Sequence, residues 1–458
     1  MATSDDASVD RLSALPEAVC TRILSLLPTK DAVATGQLSR RWRRRWCRLP
    51  SIDLDFGEFS AGQVPSWQSQ SSYTTFVDLV LPICASRRSL RRVALRPCSG
   101  TWQIEIDRWV RLAMAGRQLV ALELDFSHLL TPHHLGKHLS GEAPLRVPDS
   151  LEELKLKCCV FDPLGFEPFR GVRSLMLSSV SLADAEFLSR FPALESLVIF
   201  HCEVKNGLAV RHCRLRWVEM EGISFEPPAA GCPLEVEAPA MEELSLREMK
   251  GSPALVVRMG GQLQRLKVEN CYFDQGEGGG REDTVGISLE VDAPALCEFR
   301  FYGEPGKECC FRAKSPNLDQ YLSSGMLAST LFSCLRALTM EVGLVYEELP
   351  VMEALLRSSP FLQSLSINID NFGEPFVRDL SNVDYEVERL EELYGDYWES
   401  FKGPIHCLAL HLRTIEIKNF TGKRLEDELA RFLAANGKVL TKMAVSTPSA
   451  IFSGLDFL

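Results

Sequence analysis

The chain has 458 residues, 46% of them apolar and 24% charged, with a formal net charge of −11. That length exceeds one compact core and implies several units or a stack of repeats. The acidic balance speaks against a general nucleic-acid binder, which needs a basic surface. No run of about eighteen apolar residues offers a membrane span, and the 15 cysteines follow no basic–apolar leader, so they read as reduced thiols of the nucleus or cytoplasm.

In chain order, residues 1–10 are small and acidic and read as a disordered lead-in. Residues 11–50 read as three short helices. Pro16 suits a first helical turn, where its missing N–H has no partner to lose. Leu15, Val19, Ile23 and Leu27 recur every four residues and form one apolar ridge. Pro28 ends that helix, and Thr29 is expected to cap the next. Leu38, Trp42, Trp46 and Leu49 then give a second apolar stripe, facing away from six arginines. So short a unit buries too little surface to stand alone, so its apolar ridges call for a partner on one side and the rest of the chain on the other.

These residues resemble an F-box. The resemblance is carried by Leu15-Pro16, Val19, Ile23-Leu24-Ser25-x-Leu27-Pro28-Thr29-Lys30, Leu38-Ser39-Arg40-Arg41-Trp42 and Trp46. Glu17-Ala18 departs from it, since an acidic residue more often fills the second place. The resemblance implies docking on the Skp-type adaptor of a Skp–cullin–F-box ubiquitin ligase. It assigns that contact to Leu15, Pro16, Val19, Ile23, Leu24, Leu27, Pro28 and Trp42.

Residues 51–89 read as a linker and helix: a loop rich in Gly, Ser, Gln and Pro to residue 72, then a helix over 73–85. From Leu90 one pattern repeats, apolar-x-x-apolar-x-apolar, beginning at Leu90, Leu119, Leu151, Val172, Leu194 and Leu215. It continues at Met241, Leu263, Leu296, Leu335, Leu362 and Leu412. Steps of 21–26 residues between Leu151 and Leu263 lie in the leucine-rich-repeat range; elsewhere they lengthen, implying insertions. Cys98, Cys159, Cys202 and Cys271 follow their motifs after two intervening residues. That is where such a repeat places a short side chain to cap the turn. Phe161, Leu182, Val204, Phe225 and Phe273, two places further on, are expected to plug the core.

The fold expected is α/β: an N-terminal three-helix F-box, then a leucine-rich-repeat solenoid over 90–379 with a parallel concave sheet, then a C-terminal cap over 380–458. The cap reads as an acidic helical segment (383–401), a strand (412–420), a helix closed by Gly437 and a last strand at 439–445. It resembles the FBD domain that ends plant F-box/leucine-rich-repeat proteins.

Other motifs weigh against chemistry. The run Arg40–Arg48 invites nuclear-import or nucleic-acid readings, but a solvated or partner-facing helix accounts for it better. His133, His134 and His138 could chelate a metal, yet no third ligand type stands at a usable spacing, and a surface loop is the simpler reading. The adjacent pairs Cys158-Cys159 and Cys309-Cys310 are too close for a zinc knuckle. The glycine-rich stretch 274–280 lacks the Lys-Ser/Thr of a phosphate cradle. Glu152-Glu153 and Glu242-Glu243 fall on repeat strands. No catalytic constellation, cofactor or metal is therefore expected, and the chain reads as a non-catalytic receptor.

The strand period of two turns Leu154 and Leu156 inward and Lys155 outward. The same count sends Met176, Val198, Phe200 and Trp217 outward, an apolar patch in a polar row. Such a patch suits a protein substrate, unless a tail segment covers it or the register slips by one. The alternative to a ligase subunit is a repeat scaffold that binds partners without degrading them. No basic pocket with lid loops marks a small-molecule co-receptor.

Overall fold

A computed structural model describes residues 15–60, 67–116, 118–136, 144–182, 184–205, 207–225, 234–249, 255–258, 261–269, 288–291, 293, 295–302, 310–312, 332, 334–342, 344, 349–369, 397–398 and 404–448. The lead-in, His138, Cys271, Phe273, Cys309, the glycine-rich stretch and most of the acidic segment 383–401 lie outside the described residues. The chain divides into two compact units, Met1–Glu203 and Val204–Leu458.

In the first unit the helices α1 (Glu17–Leu24) and α2 (Thr29–Ala34) precede β1 (Ser51–Asp55), α3 (Trp67–Ala85), β2 (Arg92–Arg96) and α4 (Gln103–Met114). There follow β3 (Ala121–Asp125), β4 (Glu153–Lys157), β5 (Ser174–Ser178) and β6 (Ser196–Phe200). All six strands pair in parallel and in chain order. Parallel neighbours need a long return path, and here α3, α4 or short 3-10 turns provide it. Each of the twelve motifs from Leu90 to Leu412 holds a strand of a parallel sheet that starts two residues into the motif.

Three expectations need correction in this unit. The third opening helix is absent: after a 3-10 turn at Thr35–Gln37 the chain runs in turns to a second one at Trp46–Arg48. The segment read as a loop contains β1, because Ile52 and Leu54 alternate with Asp53 and Asp55 and are each 1% exposed. The helix read over 73–85 begins at Trp67. His133 also departs from the surface-loop reading. It lies on a short strand, His133–Leu135, 3% exposed and 3.4 Å from Asp107 Oδ1.

The turns after five of the strands are built alike. Cys158, Ser179, His201, Gly222 and Glu248 all have positive φ, between 49° and 66°, one residue before the buried capping position. That capping position is held by Cys159, Val180, Cys202, Ile223 and Met249, none more than 2% exposed. Cys202 Sγ accepts from Val180 N–H at 3.3 Å and donates to the Phe200 carbonyl at 3.3 Å, the capping role its spacing implied. Phe161, Leu182, Val204 and Phe225 are buried as plugs. A left-handed L-residue costs about 1–2 kcal/mol that glycine avoids, offset in part by glycine's greater unfolded freedom. Ser179, φ 53° and exposed, is the clean test. Ser179→Gly is expected to stabilise the first unit by about 0.5–1 kcal/mol, read as a higher melting temperature.

Burial pushes the Cys202 thiol up to about 11 and the Cys84 and Cys407 thiols up to about 12, and it also raises Cys159 and Tyr73. These groups stay protonated in the folded chain at pH values where the unfolded chain has already lost those protons. Their stabilising contribution is therefore complete below about pH 8.5 and declines as pH rises toward 11–12. Urea midpoints are expected to fall steadily between pH 9 and 11; a flat profile would contradict that burial.

The second unit repeats the scheme with β7 (Trp217–Glu221), β8 (Glu243–Arg247), β9 (Arg265–Glu269), β10 (Glu298–Tyr302) and β11 (Ala337–Val342). It goes on through α5 (Leu349–Arg357), β12 (Ser364–Ile369), α6 (His406–Leu410), β13 (Thr414–Lys418), α7 (Arg424–Asn436) and β14 (Lys442–Val445). These strands also pair in parallel, in order. A second parallel sheet of Ala209–Arg211, Leu234–Glu237, Leu255–Arg258, Ser288–Val291 and Cys310–Arg312 gives the early repeats an extra strand each, and this accounts for several of their longer steps. The last part is β13–α7–β14, as its residue pattern foretold. Glu426, 2% exposed, accepts from Thr421 N, Thr421 Oγ1 and Gly422 N at 2.6–2.8 Å and so satisfies donors ahead of α7. Gly437 closes the helix on the Leu433 carbonyl at 3.0 Å.

Candidate functional site

The opening segment turns one apolar face outward. Pro16 sits just before α1 with φ −56° and Pro28 just before α2 with φ −50°, so both prolines set the entry angle without forfeiting a bonded N–H. On the outer side Val19 is 43% exposed, Leu27 38%, Leu26 70% and Leu38 65%. Pro16 and Pro28 are exposed beside them, and Leu15 and Ile23 are half-buried. Leu24 and Trp42 are placed differently. They are 0% and 3% exposed, in an interior shared with Cys20, Trp46 and Leu49. These two shape the ridge from within and do not present it. Leu26 breaks the four-residue spacing that marks the ridge. Leu38, expected on one stripe with Trp42, Trp46 and Leu49, parts from them: it is exposed and they are buried.

The arginines do not all face solvent either. Arg45 is 7% exposed, lies 5.2 Å over the Trp42 ring and donates to Cys20 Sγ. Arg48 pairs with Glu17 across the surface. Burying one guanidinium against an indole and a thiol lends the small domain a cation–π contact its apolar residues alone would lack.

The same segment is clamped to the first strand of the sheet. Thr29, expected as a helix cap, is instead buried, and its Oγ1 accepts from Asp53 N–H of β1 at 2.8 Å. Lys30 donates through its backbone to Glu58 Oε2 at 3.2 Å and through Nζ to the Glu58 carbonyl at 2.7 Å. Its ammonium also lies 4.5 Å above the Phe59 ring. Burial raises the Glu58 carboxyl, although the Lys30 N–H bond offsets part of this. The edge of β1 is thereby covered, as an exposed parallel edge needs to be.

The outward face of the first unit is graded. In register, its middle row reads Asp53, Ala94, Glu123, Lys155, Met176, Val198, and the next row Asp55, Arg96, Asp125, Lys157, Ser178, Phe200. Arg96 reaches Asp53 at 2.6 Å, Glu123 at 2.8 Å, Asp55 at 3.7 Å and Asp125 at 4.0 Å. Burial works against its charge, yet the bonds to Asp53 and Glu123 prevail and raise its pKa. Met176, Val198 and Phe200 therefore do come together on neighbouring strands. Met176 and Phe200 are half-buried, while Val198 is only 8% exposed, hemmed in by its neighbours.

Trp217 belongs to the outward face of the second unit, where it is 44% exposed in register with Glu243. Around it the face is an ion-pair ladder. Arg247 meets Glu269 at 3.1 Å and Glu221 at 3.3 Å, and Glu243 takes Arg265 and Lys267 at 2.8 Å each. Burial would raise Glu243, but its bonds to Lys267 and Arg265 outweigh that and hold it below the usual carboxylate range. The carboxylates read on these strands are thus engaged in structure. Among the described residues no three His, Cys, Asp or Glu side chains are grouped to hold a metal ion, and no helix is long and apolar enough to cross a membrane.

Family comparison agrees with this layout. An F-box domain model matches residues 12–53 and an FBD model residues 399–445. An F-box/FBD/LRR-repeat protein of Arabidopsis thaliana is 24% identical over 97% of this chain and 90% of its own length. A second protein so named, also from Arabidopsis thaliana, is 24% identical over 96% of the chain and 85% of itself. An FBD-associated F-box protein of the same plant is 25% identical over 96% and 91%. With an F-box domain seated on the first strand, twelve leucine-rich motifs on parallel strands and an FBD at its last elements, the chain is similar along nearly its whole length to the F-box/FBD/LRR-repeat proteins.

Proposed function

We propose that the chain is the substrate-recognition subunit of a Skp–cullin–F-box ubiquitin ligase. The observation that carries this is the ridge of Val19, Leu26, Leu27 and Leu38, exposed on a domain whose own interior is already filled by Leu24, Trp42 and Trp46. A small domain rarely leaves contiguous leucines in water unless a partner covers them. Pro16, Val19, Ile23, Leu27 and Pro28 then contact the adaptor, with Leu15 at the margin, while Leu24 and Trp42 hold the ridge in shape. The outward face of the sheet selects a protein substrate, with Met176, Val198 and Phe200 in the first unit and Trp217 in the second. The receptor makes no bond itself; holding a substrate lysine near the charged conjugating enzyme raises its effective concentration. The clamp of Thr29 and Lys30 on β1 and Glu58 favours this, because it leaves little slack between the docking ridge and the sheet.

Co-expression with a Skp-type adaptor and a cullin tests the reading. A stoichiometric complex is expected; a chain that purifies without the adaptor sinks it. Partners captured by the chain should accumulate in cells when residues 13–49 are deleted. If their abundance does not change, the chain is a scaffold and not a ligase subunit.

A further inference from the structure

The cations on the outward face of the first unit are not equally committed. Arg92 is bonded to Glu123 at 2.9 Å, and Arg96 is ringed by four carboxylates. Lys157 holds one acceptor, Asp125 at 3.2 Å, and leaves 48% of its side chain exposed. Lys155 is half-buried, in register between Glu123 and Met176, and among the described residues no carboxylate lies within ion-pair distance of it. Glu123 cannot serve it, being taken up by Arg92 and Arg96. The one acid on its own strand, Glu153, stands two residues back, beside Ala121 and Ser174 and away from the apolar residues. On this acidic chain, the charge left over beside Met176, Val198 and Phe200 is therefore positive. A half-buried lysine whose ammonium has no anion beside it is a ready partner for a bound carboxylate.

Resting on the reading of this sheet face as the partner-binding surface, we propose that it takes an extended acidic–apolar peptide segment. A bulky apolar side chain would sit on Met176, Val198 and Phe200. A carboxylate, or another anionic group, one or two residues away would sit on Lys155 and Lys157, with the Ser178 hydroxyl between the two subsites. Neighbouring strands lie about 4.8 Å apart, so the subsites are separated by the reach of adjacent side chains on one extended chain.

The test is selection from a display library of random nine-residue peptides on the full chain in complex with its adaptor, repeated with Lys155→Glu, Lys155→Gln and Phe200→Ala. The expected winners pair Asp or Glu with Leu, Ile, Met or Phe within two positions. Synthetic versions should bind Lys155→Glu about tenfold more weakly and Lys155→Gln by less, and should also lose affinity for Phe200→Ala. Selection on Lys155→Glu should turn to peptides with Lys or Arg at the same place. Winners with no acidic preference, weakened by Phe200→Ala but indifferent to Lys155→Glu, would overturn the partner class while keeping the surface. Winners indifferent to all three substitutions, or none at all, would overturn both. Adaptor capture by each variant, expected unchanged, shows that the chain is folded.

Discussion

Chains carrying Val19→Asp and Leu27→Asp together are expected to lose capture of a Skp-type adaptor by about a thousandfold, with the melting temperature unchanged. Both side chains stand outside the domain, at 43% and 38% exposure, so the free protein loses little when they become polar. An adaptor that covers them forfeits the burial of two apolar side chains and must desolvate two carboxylates. The sum is at least about 4 kcal/mol, which sets the factor. Leu38→Asp is expected to weaken capture as well, by a smaller factor, because Leu38 is a further leucine of this domain left 65% exposed. Leu24→Ala and Trp42→Ala should also reduce capture, but only together with a lower melting temperature, since both are interior. Retained capture by the double variant would mean that the ridge is not the docking surface.

Phe169→Ala is expected to destabilise the first unit by about 3–5 kcal/mol. Phe169 is 0% exposed, stacks on Phe191 at 4.6 Å and 9°, and meets Phe166 at 5.5 Å and Phe161 at 6.3 Å. Removing it opens a cavity where four rings converge, and the surrounding strands, tied by parallel ladders on both sides, cannot close over it. Repeats depend on their neighbours for a buried face, so the loss should spread along β4, β5 and β6. Hydrogen exchange is the measurement: faster exchange in those strands with α7 in the second unit unaffected. Uniform acceleration throughout the chain would show that the two units unfold as one.

The repeats and both terminal domains were legible in the sequence because each rests on short-range periodicity. Leucines at fixed spacing bury only when the chain adopts one local path, and the capping cysteines and plugging phenylalanines mark its turns. Cys202, bonded as a cap and pushed up to about 11 by burial, shows how a single spacing implied a role. The αL residue before each cap was not legible, because Cys158, Ser179, His201 and Glu248 share no chemistry. Strain there is imposed by the strand and turn on either side. Strand β1 was legible in the alternation of Ile52 and Leu54, but flanking Gly, Ser and Gln obscured it.

By itself the sequence determined the F-box motif, the parallel repeat and the closing β–α–β segment, since local spacing decides each of them. Only the tertiary structure decided which ridge residues face out. Leu24 and Trp42 carry the same motif as Val19 and Leu27, yet the first pair is buried, Trp42 beneath the Arg45 guanidinium that also bonds Cys20. Tertiary structure likewise decided that Thr29 pins β1, and that among the described residues Lys155 has no anion within ion-pair distance while Arg96 has four. Ion pairing between strands depends on register across residues some twenty to forty positions apart, and local pattern carries no record of it.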